Sequence, residues 1–453
     1  MNYNNNDIII ARSTPIGSSA LAVIRISGES SLLKLLPLIF NKKKPTPRYN
    51  YTIELQGFES NEKIDTCVAS YYQAPSSFTG EHLVELSCHG NDFIVEKIIN
   101  EFIKRGVRLA YPGEFSYRAF QNKKIDLMQA ESIAAKISSN SATYGVALQN
   151  IENGSFSKKL LHLKESVLQT ASIIEHELDF NEQEITHLQS QEIQKKFELI
   201  KGELGDILKR SETIKKINRG YRVVILGLPN AGKSTLFNKI LGLDKSIVTP
   251  IKGTTRDVLE EKITVKNIPF TFYDTAGYRK TKDIIETLGV QKGIDVLKNA
   301  DIVLVVDAKS PNQLKTKLIN EGLFCNKQKV VLIKTKCDAL KGGKLINSDQ
   351  IHLSAKNNVG INALLTLLLT FVSSAVERPS SKSVVLCNER QAALIKQAKD
   401  CVGVVLGDLK VGCSMDIVAS GCRDFIDIIQ DLLGEVTSDE ILNNIFKGFC
   451  VGK

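Results

Sequence analysis

The stretch from Tyr221 to Ser234, Tyr-Arg-Val-Val-Ile-Leu-Gly-Leu-Pro-Asn-Ala-Gly-Lys-Ser, constrains this chain more than any other. Val223 to Leu226 form an apolar, partly β-branched run, the pattern of a buried strand. Gly227, Gly232, Lys233 and Ser234 then complete the G-x-x-x-x-G-K-S spacing of a phosphate-binding loop. Glycine lets the backbone curl until its N–H groups point inward at phosphate oxygens. A helix starting near Lys233 aims its positive end at the same anion. In such a loop Lys233 reaches the β- and γ-phosphates, and the Ser234 hydroxyl reaches Mg²⁺. Nucleotide binding on an α/β module is the first expectation.

At 453 residues the chain has room for about three domains. A charged share of 24% and an apolar share of 43% are ordinary for soluble globular protein. No run approaches the length of uninterrupted apolar residues that a membrane span needs, so none is expected. The start, Met1-Asn2-Tyr3-Asn4-Asn5-Asn6-Asp7, lacks the basic and apolar regions of a signal peptide. Nine scattered cysteines without a C-x-x-C pair favour a reducing cytoplasm and carry no zinc signal. The net charge of +9, from 59 basic and 50 acidic residues, permits a nucleic-acid partner without requiring one.

Residues 1–113 read as an α/β or α+β module. Strands are expected at Asp7–Ala11, Ala20–Ile26, 51–55, 66–72 and 82–88, with helices at Ser30–Phe40 and Asp92–Lys104. From 114 to 216 the pattern turns helical, and Ile193, Phe197, Ile200, Leu204 and Ile207 repeat as the seam of a helix packed lengthwise on others. Glu182–Glu184 read as a solvated bend. Residues 217–379 hold strands at 222–226, 263–265, 270–273, 302–306, 330–333 and about 351–353, with helices between. That alternation implies a parallel sheet with right-handed crossovers. Beyond Glu377-Arg378-Pro379, residues 380–453 are helical again, so the nucleotide module reads as inserted into a helical domain.

Further signals follow the phosphate loop in the order a GTPase needs. Asp274-Thr275-Ala276-Gly277 ends a strand, where a carboxylate can hold Mg²⁺ through water and the Gly277 N–H can meet the γ-phosphate. Gly253-Thr254-Thr255-Arg256-Asp257 lies before it, where a switch threonine coordinates Mg²⁺. Thr335-Lys336-Cys337-Asp338 places a carboxylate to accept both guanine N–H groups, and Ser354-Ala355-Lys356 supports the base. Tyr278 stands where Ras-type GTPases carry a water-positioning Gln. Arg256 and Arg279 are nearby, but neither is marked as an arginine finger. Something else must supply transition-state charge and orient water.

Motifs outside that module resemble one family over nearly the whole chain. They are Val23-Ile24-Arg25-Ile26-Ser27-Gly28, Ser77-Phe78-Thr79-Gly80-Glu81, Glu85-Leu86-Ser87-Cys88-His89-Gly90 and Pro112-Gly113-Glu114-Phe115 with Arg118-Ala119-Phe120. Lys124-Ile125-Asp126-Leu127-Met128-Gln129-Ala130-Glu131, Leu433-Gly434-Glu435-Val436-Thr437 and the terminal Phe449-Cys450-Val451-Gly452-Lys453 complete them. The chain resembles the MnmE (TrmE) family of tRNA-modification GTPases.

The resemblance implies a folate-binding, dimer-forming N-terminal domain, a discontinuous helical domain and an inserted Ras-like GTPase domain. It implies that GTP sits on Asn230, Ala231, Gly232, Lys233, Ser234 and Thr235, on Thr249, Thr254 and Thr255, and on Asp274, Thr275, Ala276 and Gly277. Thr335, Lys336, Asp338, Ser354, Ala355 and Lys356 face the base. Mg²⁺ falls to Ser234 and Thr255, and K⁺, in place of an arginine finger, to Asn230, Thr249, Ile251 and Thr254. Glu286 orients water and acts with Lys233 in catalysis. Arg25, Glu81, Lys124 and Lys453 face a tetrahydrofolate one-carbon donor, with Cys450 near it and needed for modification. The implied partners are a second copy, an FAD-dependent MnmG (GidA)-type protein and tRNA. Read alone, Glu286 is a helix-surface carboxylate, Arg25, Glu81 and Lys124 are surface ion pairs, and Cys450 belongs to a loose tail or a poor prenylation box.

Three positions depart from the family pattern. Thr335 replaces the usual Asn, and its hydroxyl can tie strand to phosphate loop but cannot bridge on two sides. The loop Pro15-Ile16-Gly17-Ser18-Ser19-Ala20 is poorer in glycine, and Val451 replaces Ile. Two other classes compete: a ribosome-assembly GTPase of the Era or EngA kind, and a nucleotide-binding scaffold without turnover. No KH module or second GTPase module is visible for the first. Intact Lys233, Ser234, Thr255, Asp274 and Glu286 oppose the second.

Overall fold

The computed structural model describes residues 7–41, 44–139, 141–180, 187–242, 259–266, 268–274, 296–320, 322, 328–338, 346–347, 350–373 and 386–452. Two compact units emerge: residues 1–138 with 148–208 and 386–453, and residues 139–147 with 209–385.

The first unit opens with a six-stranded sheet of β1 (Ile9–Arg12), β2 (Ser19–Gly28), β3 (Asn50–Gln56), β4 (Lys63–Tyr72), β5 (His82–Gly90) and β6 (Arg108–Leu109). Its order is β3-β4-β5-β2-β1-β6, antiparallel except where β6 joins β1. Successive side chains alternate faces. Ile24, Ile26, Val84, Leu86 and Cys88 therefore point to a core shared with Leu36 and Ile39 of α1 (Leu36–Ile39) and Val95, Ile98 and Phe102 of α2 (Asp92–Ile103). Arg25, Ser27 and Glu85, one residue out of that phase, fall on the other face beside the smaller cluster of Ile9, Ala11, Leu83 and Phe115. Burying each large apolar side chain is worth roughly 1.5–3 kcal/mol, and that alternation is what frees one face for polar groups.

The helix expected over Ser30–Phe40 is instead a 3₁₀ turn, Ser30–Lys34, followed by α1. Pro37 is the cause: it lacks an N–H and its ring clashes with the carbonyl a turn earlier, so the helix restarts with proline in its first turn.

The helical part contains α3 (Glu114–Gln121), α4 (Leu127–Ile137), α5 (Ala142–Glu152), α6 (Ser155–Phe180) and α7 (His187–Arg219). Asp126 caps α4 in a capping box: its carboxylate accepts from Gln129 N and its own N–H donates to the Gln129 side chain. Phe197, Ile200, Leu204 and Ile207 are buried along α7, so the seam faces inward. The helix Met415–Leu433 packs on α6 and on Glu389–Val411. Arg390 joins the two chain segments through a forked ion pair to the buried Glu131, at 2.9 and 3.1 Å.

In the second unit, β7 (Tyr221–Gly227), β8 (Leu259–Val265), β9 (Ile268–Asp274), β10 (Ile302–Asp307), β11 (Lys329–Lys334), β12 (Ile346–Asn347) and β13 (Gln350–His352) form one sheet, ordered β12-β13-β11-β10-β7-β9-β8. Val223, Ile225, Leu304 and Val306 pack against α8 (Lys233–Leu241) and the helix Ile361–Ser373, while Val224, Val303 and Val305 fill the opposite face. Covering on both sides explains the unbroken apolar runs. The sheet is mixed rather than wholly parallel, because β8 lies antiparallel on β9 and β12 on β13. Only residues 266–267 separate β8 from β9, too few for a crossover. The expected switch segment 253–257, the bend at 182–184, Tyr278 and Arg279 lie outside the described residues. No described helix is long and apolar enough to cross a membrane.

Candidate functional site

The end of β7 is pressed against its neighbour. A side chain at Gly227 would place its Cβ 2.2 Å from the Val306 carbonyl oxygen, so only glycine fits. Asn230 and Gly232 adopt left-handed conformations, with φ of 61° and 86°, and α8 begins at once at Lys233. The Lys233 ammonium folds back over the loop and donates to the carbonyls of Gly227 and Leu228, each at 2.9 Å. Asn230, Ser234 and Thr235 are exposed at the mouth of the loop, and Ala231 is buried beneath it. The result is a concave run of backbone ahead of a helix N-terminus, with one cation inside it and hydroxyls at its rim.

β11 brings the second set of groups to the same edge of the sheet. Thr335 is buried, its N–H donates to Asp307 O at 3.0 Å, and its hydroxyl donates to Ala231 O at 2.6 Å. The hydroxyl therefore ties strand to phosphate loop. Three residues on, Asp338 is exposed, and the buried Ser354 hydroxyl donates to its Oδ1. Ser354 Oγ accepts in turn from Asn357 N at 3.2 Å. Lys336 and Lys356 are exposed, and Ala355 is half-buried. Asp274 closes β9 in register with Ile225, which sets its backbone beside the loop. Asn230–Thr235, Thr335–Asp338 and Ser354–Lys356 thus converge from three loops. Thr249, Ile251, Thr254, Thr255, Thr275, Ala276, Gly277 and Glu286 lie outside the described residues, as does Lys453.

The polar face of the N-terminal sheet holds a second constellation. Arg25 Nε donates to Glu85 Oε1 at 2.7 Å, and Tyr72 Oη donates to Glu85 Oε2 at 3.4 Å. Glu81 is 5% exposed and accepts from Ser27 Oγ at 2.8 Å and from Arg118 Nη1 at 3.1 and 3.2 Å. Arg118, 1% exposed, also pairs with Asp7 at 2.6 Å and Glu114 at 3.2 Å, and Arg108 pairs with the same two acids at 2.7 and 2.5 Å. Burial pushes the Glu81 carboxyl above its usual range, against the opposing charge of Arg118 and the Ser27 bond. Burial would raise Asp7 as well, but its hydrogen bonds to Arg108 and Arg118 and their charges outweigh burial and hold it below. Lys124 is exposed and lies against Gly80, next to Glu81 in the chain.

Arg118 is the residue whose weight the sequence understates. It was visible only as a motif letter, although an arginine four places after Glu114 on a short, otherwise largely apolar helix is a signal for a buried pair.

The C-terminal segment returns to this sheet. Phe446 is fully buried against Tyr117, Phe120 and Phe449. Gly113 N donates to Cys450 O at 3.4 Å, while Ser13 Oγ and Arg25 Nη1 donate to Gly452 O at 3.0 and 3.4 Å. The tail is anchored rather than loose, and exposed Cys450 sits beside the Arg25 face.

The family described as the MnmE helical domain matches residues 127–450, and the one described as the GTP-binding protein TrmE N-terminus matches residues 8–124. Curated proteins called tRNA modification GTPase MnmE match along their whole length. That of Christiangramia forsetii is 35% identical over 99% of both chains. This chain belongs to the MnmE (TrmE) family. The MnmE of Parabacteroides distasonis is 36% identical over 98% of this chain and 99% of its own, and that of Aquifex aeolicus 34% over the same shares. A solved structure of Era, at 22% identity, 40% of this chain, 66% of that chain and a TM-score of 0.28, is too slight a likeness to bear on the fold. The MnmE match extends through the N-terminal sheet and the anchored tail, which a GTPase module alone does not contain.

Proposed function

We propose that this protein is a K⁺-activated GTP hydrolase that acts, with an FAD-dependent MnmG-type partner, in tRNA modification. Together they add an aminomethyl or carboxymethylaminomethyl group to C5 of the wobble uridine of certain tRNAs in the cytoplasm. The observation that carries the nucleotide half is the convergence of Lys233 in its backbone cradle with Asp338, held by Ser354. One end of that arrangement suits phosphates and the other a base with two adjacent N–H donors. Membership of the MnmE family supports the tRNA half.

The chain's groups fit the ions the reading needs. Ser234 presents an exposed hydroxyl at the first turn of α8 and would hold Mg²⁺ with Thr255. Asn230, exposed at the loop's mouth, would hold K⁺ with Thr249, Ile251 and Thr254. K⁺ there supplies positive charge to the transition state, and Glu286 orients the attacking water. On the polar sheet side, Arg25, Glu81 and Lys124 offer the mixed donors and acceptors that a reduced folate matches, and Glu81 is kept in place by Arg118; Lys453 would join them. Bound folate supplies the one-carbon unit. We assign 1–113 to the folate-binding and dimer-forming domain, 114–216 with 380–453 to the helical domain, and 217–379 to the GTPase domain.

Comparing GTP hydrolysis by the homodimer in K⁺ and in Na⁺ tests the engine, with faster turnover expected in K⁺. Nucleoside mass spectrometry of tRNA from cells lacking the protein tests its use. An unmodified wobble uridine is expected, and an unchanged one would overturn the assignment.

A further inference from the structure

Beside Lys124, on the same unit as the folate candidates, the surface opens into a cavity of about 680 Å³. Arg48, Asn50, Tyr72, Ser76, Phe78 and Lys124 are among its walls, and none of the lining residues is acidic. We infer that this cavity is a carboxylate pocket in which Arg48 holds the glutamyl tail of a bound reduced folate. The inference rests on the folate reading given above.

Arg48 is fixed from both ends. Its N–H donates to Tyr71 O at 2.8 Å, and its Nη2 donates to Ser76 O at 3.2 Å. The left-handed turn at Arg48, with φ of 65°, directs the chain into edge strand β3. A guanidinium carries five N–H donors in a planar fork that matches a carboxylate, whereas Lys124 adds a point charge. The Ser76 hydroxyl and the Asn50 amide supply further donors, so the cavity favours an anion with several oxygens.

Position identifies which anion. Tyr72, in the cavity wall, bonds to Glu85, which pairs with Arg25. Lys124 belongs both to the cavity and to the set expected around the folate. The cavity is therefore contiguous with the Arg25–Glu85 face. A folate carries its pterin at one end and its glutamate carboxylates at the other. With the pterin end on the Arg25 and Glu81 side, the carboxylates meet Arg48. Each further γ-linked glutamate adds one negative charge to a site that holds only cations and neutral donors.

The test is equilibrium binding of 5-formyltetrahydrofolate to the full-length protein by calorimetry, as the monoglutamate and as the triglutamate. A partly exposed ion pair is worth a factor of up to about five, and two added carboxylates compound it. The triglutamate should therefore bind about tenfold tighter at low salt, and most of that advantage should vanish at about 0.5 M KCl, where the Debye length falls to a few ångströms. Arg48→Gln should bring the ratio of the two affinities to about one. Asn50→Asp should do the same by adding negative charge, and it keeps the bond that Asn50 Oδ1 accepts from Ser70 Oγ at 2.6 Å, so the strand is undisturbed. Equal affinities in the unaltered protein, or a ratio that survives both substitutions, would overturn the inference while leaving the folate reading intact. Failure of either form to bind would overturn both.

Discussion

The Thr335 hydroxyl donates to the carbonyl oxygen of Ala231 at 2.6 Å, across 104 residues of chain. That bond fastens the loop that reads the base to the loop that wraps the phosphates. Both partners are buried, so the carbonyl has little access to replacement water.

Thr335→Val removes the donor at nearly constant volume and leaves a buried acceptor unpaired, at about 1–3 kcal/mol. Since Ala231 belongs to the phosphate loop, part of that cost should appear as weaker nucleotide binding. Fluorescent GDP titration should show a Kd about tenfold higher, and Thr335→Ser should restore most of the affinity. An unchanged Kd for the valine variant would show that the bond does not shape the site.

Arg118 sits 1% exposed between Glu81, Glu114 and Asp7. Arg118→Met fills the space but strands the buried Glu81 carboxylate without its cation, whereas Glu114 and Asp7 keep Arg108, at about 3–5 kcal/mol. Denaturant unfolding should report that loss in the transition of the N-terminal sheet. Adding Glu81→Gln to Arg118→Met should recover part of it, because the stranded charge is gone. Simple additivity of the two substitutions would mean the residues do not act as a pair.

The same network sets an acid limit. Asp7 is held below its usual range, so its contribution is complete above the unfolded value near 3.9 and is lost as pH falls through the lower folded value. Asp7→Asn should therefore destabilise by about 1–2 kcal/mol at pH 6–8, and melting curves of variant and parent should converge toward pH 3. Glu81 has the opposite sign. Its carboxyl is raised, so its contribution is complete below the unfolded value near 4.3 and fades as pH rises through the folded one. Glu81→Gln should accordingly cost least, relative to the parent, on the alkaline side. A Glu81→Gln penalty that grows with pH would contradict the raised carboxyl.

What could be read from residues alone followed from local physics. The runs around Val223 and Val303 are apolar throughout because helices cover both sheet faces, and the glycine spacing after Leu226 has few other uses. The antiparallel pairing of β8 on β9 was open to the same local reading, because so short a connection admits only a hairpin, whereas β12, two residues long, is too short to show a pattern. Pro37 could have broken the expected helix at Ser30–Phe40, because its effect is local. The ion cluster around Arg118 could not have been assembled in advance: Asp7, Glu81 and Glu114 are far apart in sequence and meet only when β1, β5 and α3 pack. Arg48 was likewise silent, one basic residue in a loop, until the fold brought it with Lys124 to the wall of one cavity.

Gly452 offers a separate handle on the C-terminal tail. It is buried with φ of 88°, and a Cβ there would lie 2.4 Å from Arg12 O and 2.8 Å from Ser13 Cα, neither of which can yield easily. Gly452→Ala should lift the last residues off the Ser13 and Arg25 contacts while Phe446, buried four residues before Cys450, keeps the preceding helix docked. The melting temperature should move by no more than about 2 °C, because few apolar contacts are lost. Hydrogen exchange at Phe449–Gly452 should quicken about tenfold or more, and GTP hydrolysis, whose groups lie on other elements, should be unchanged. If tRNA modification also persists at the parent rate, then the placement of Cys450 beside the Arg25 face does not serve the chemistry.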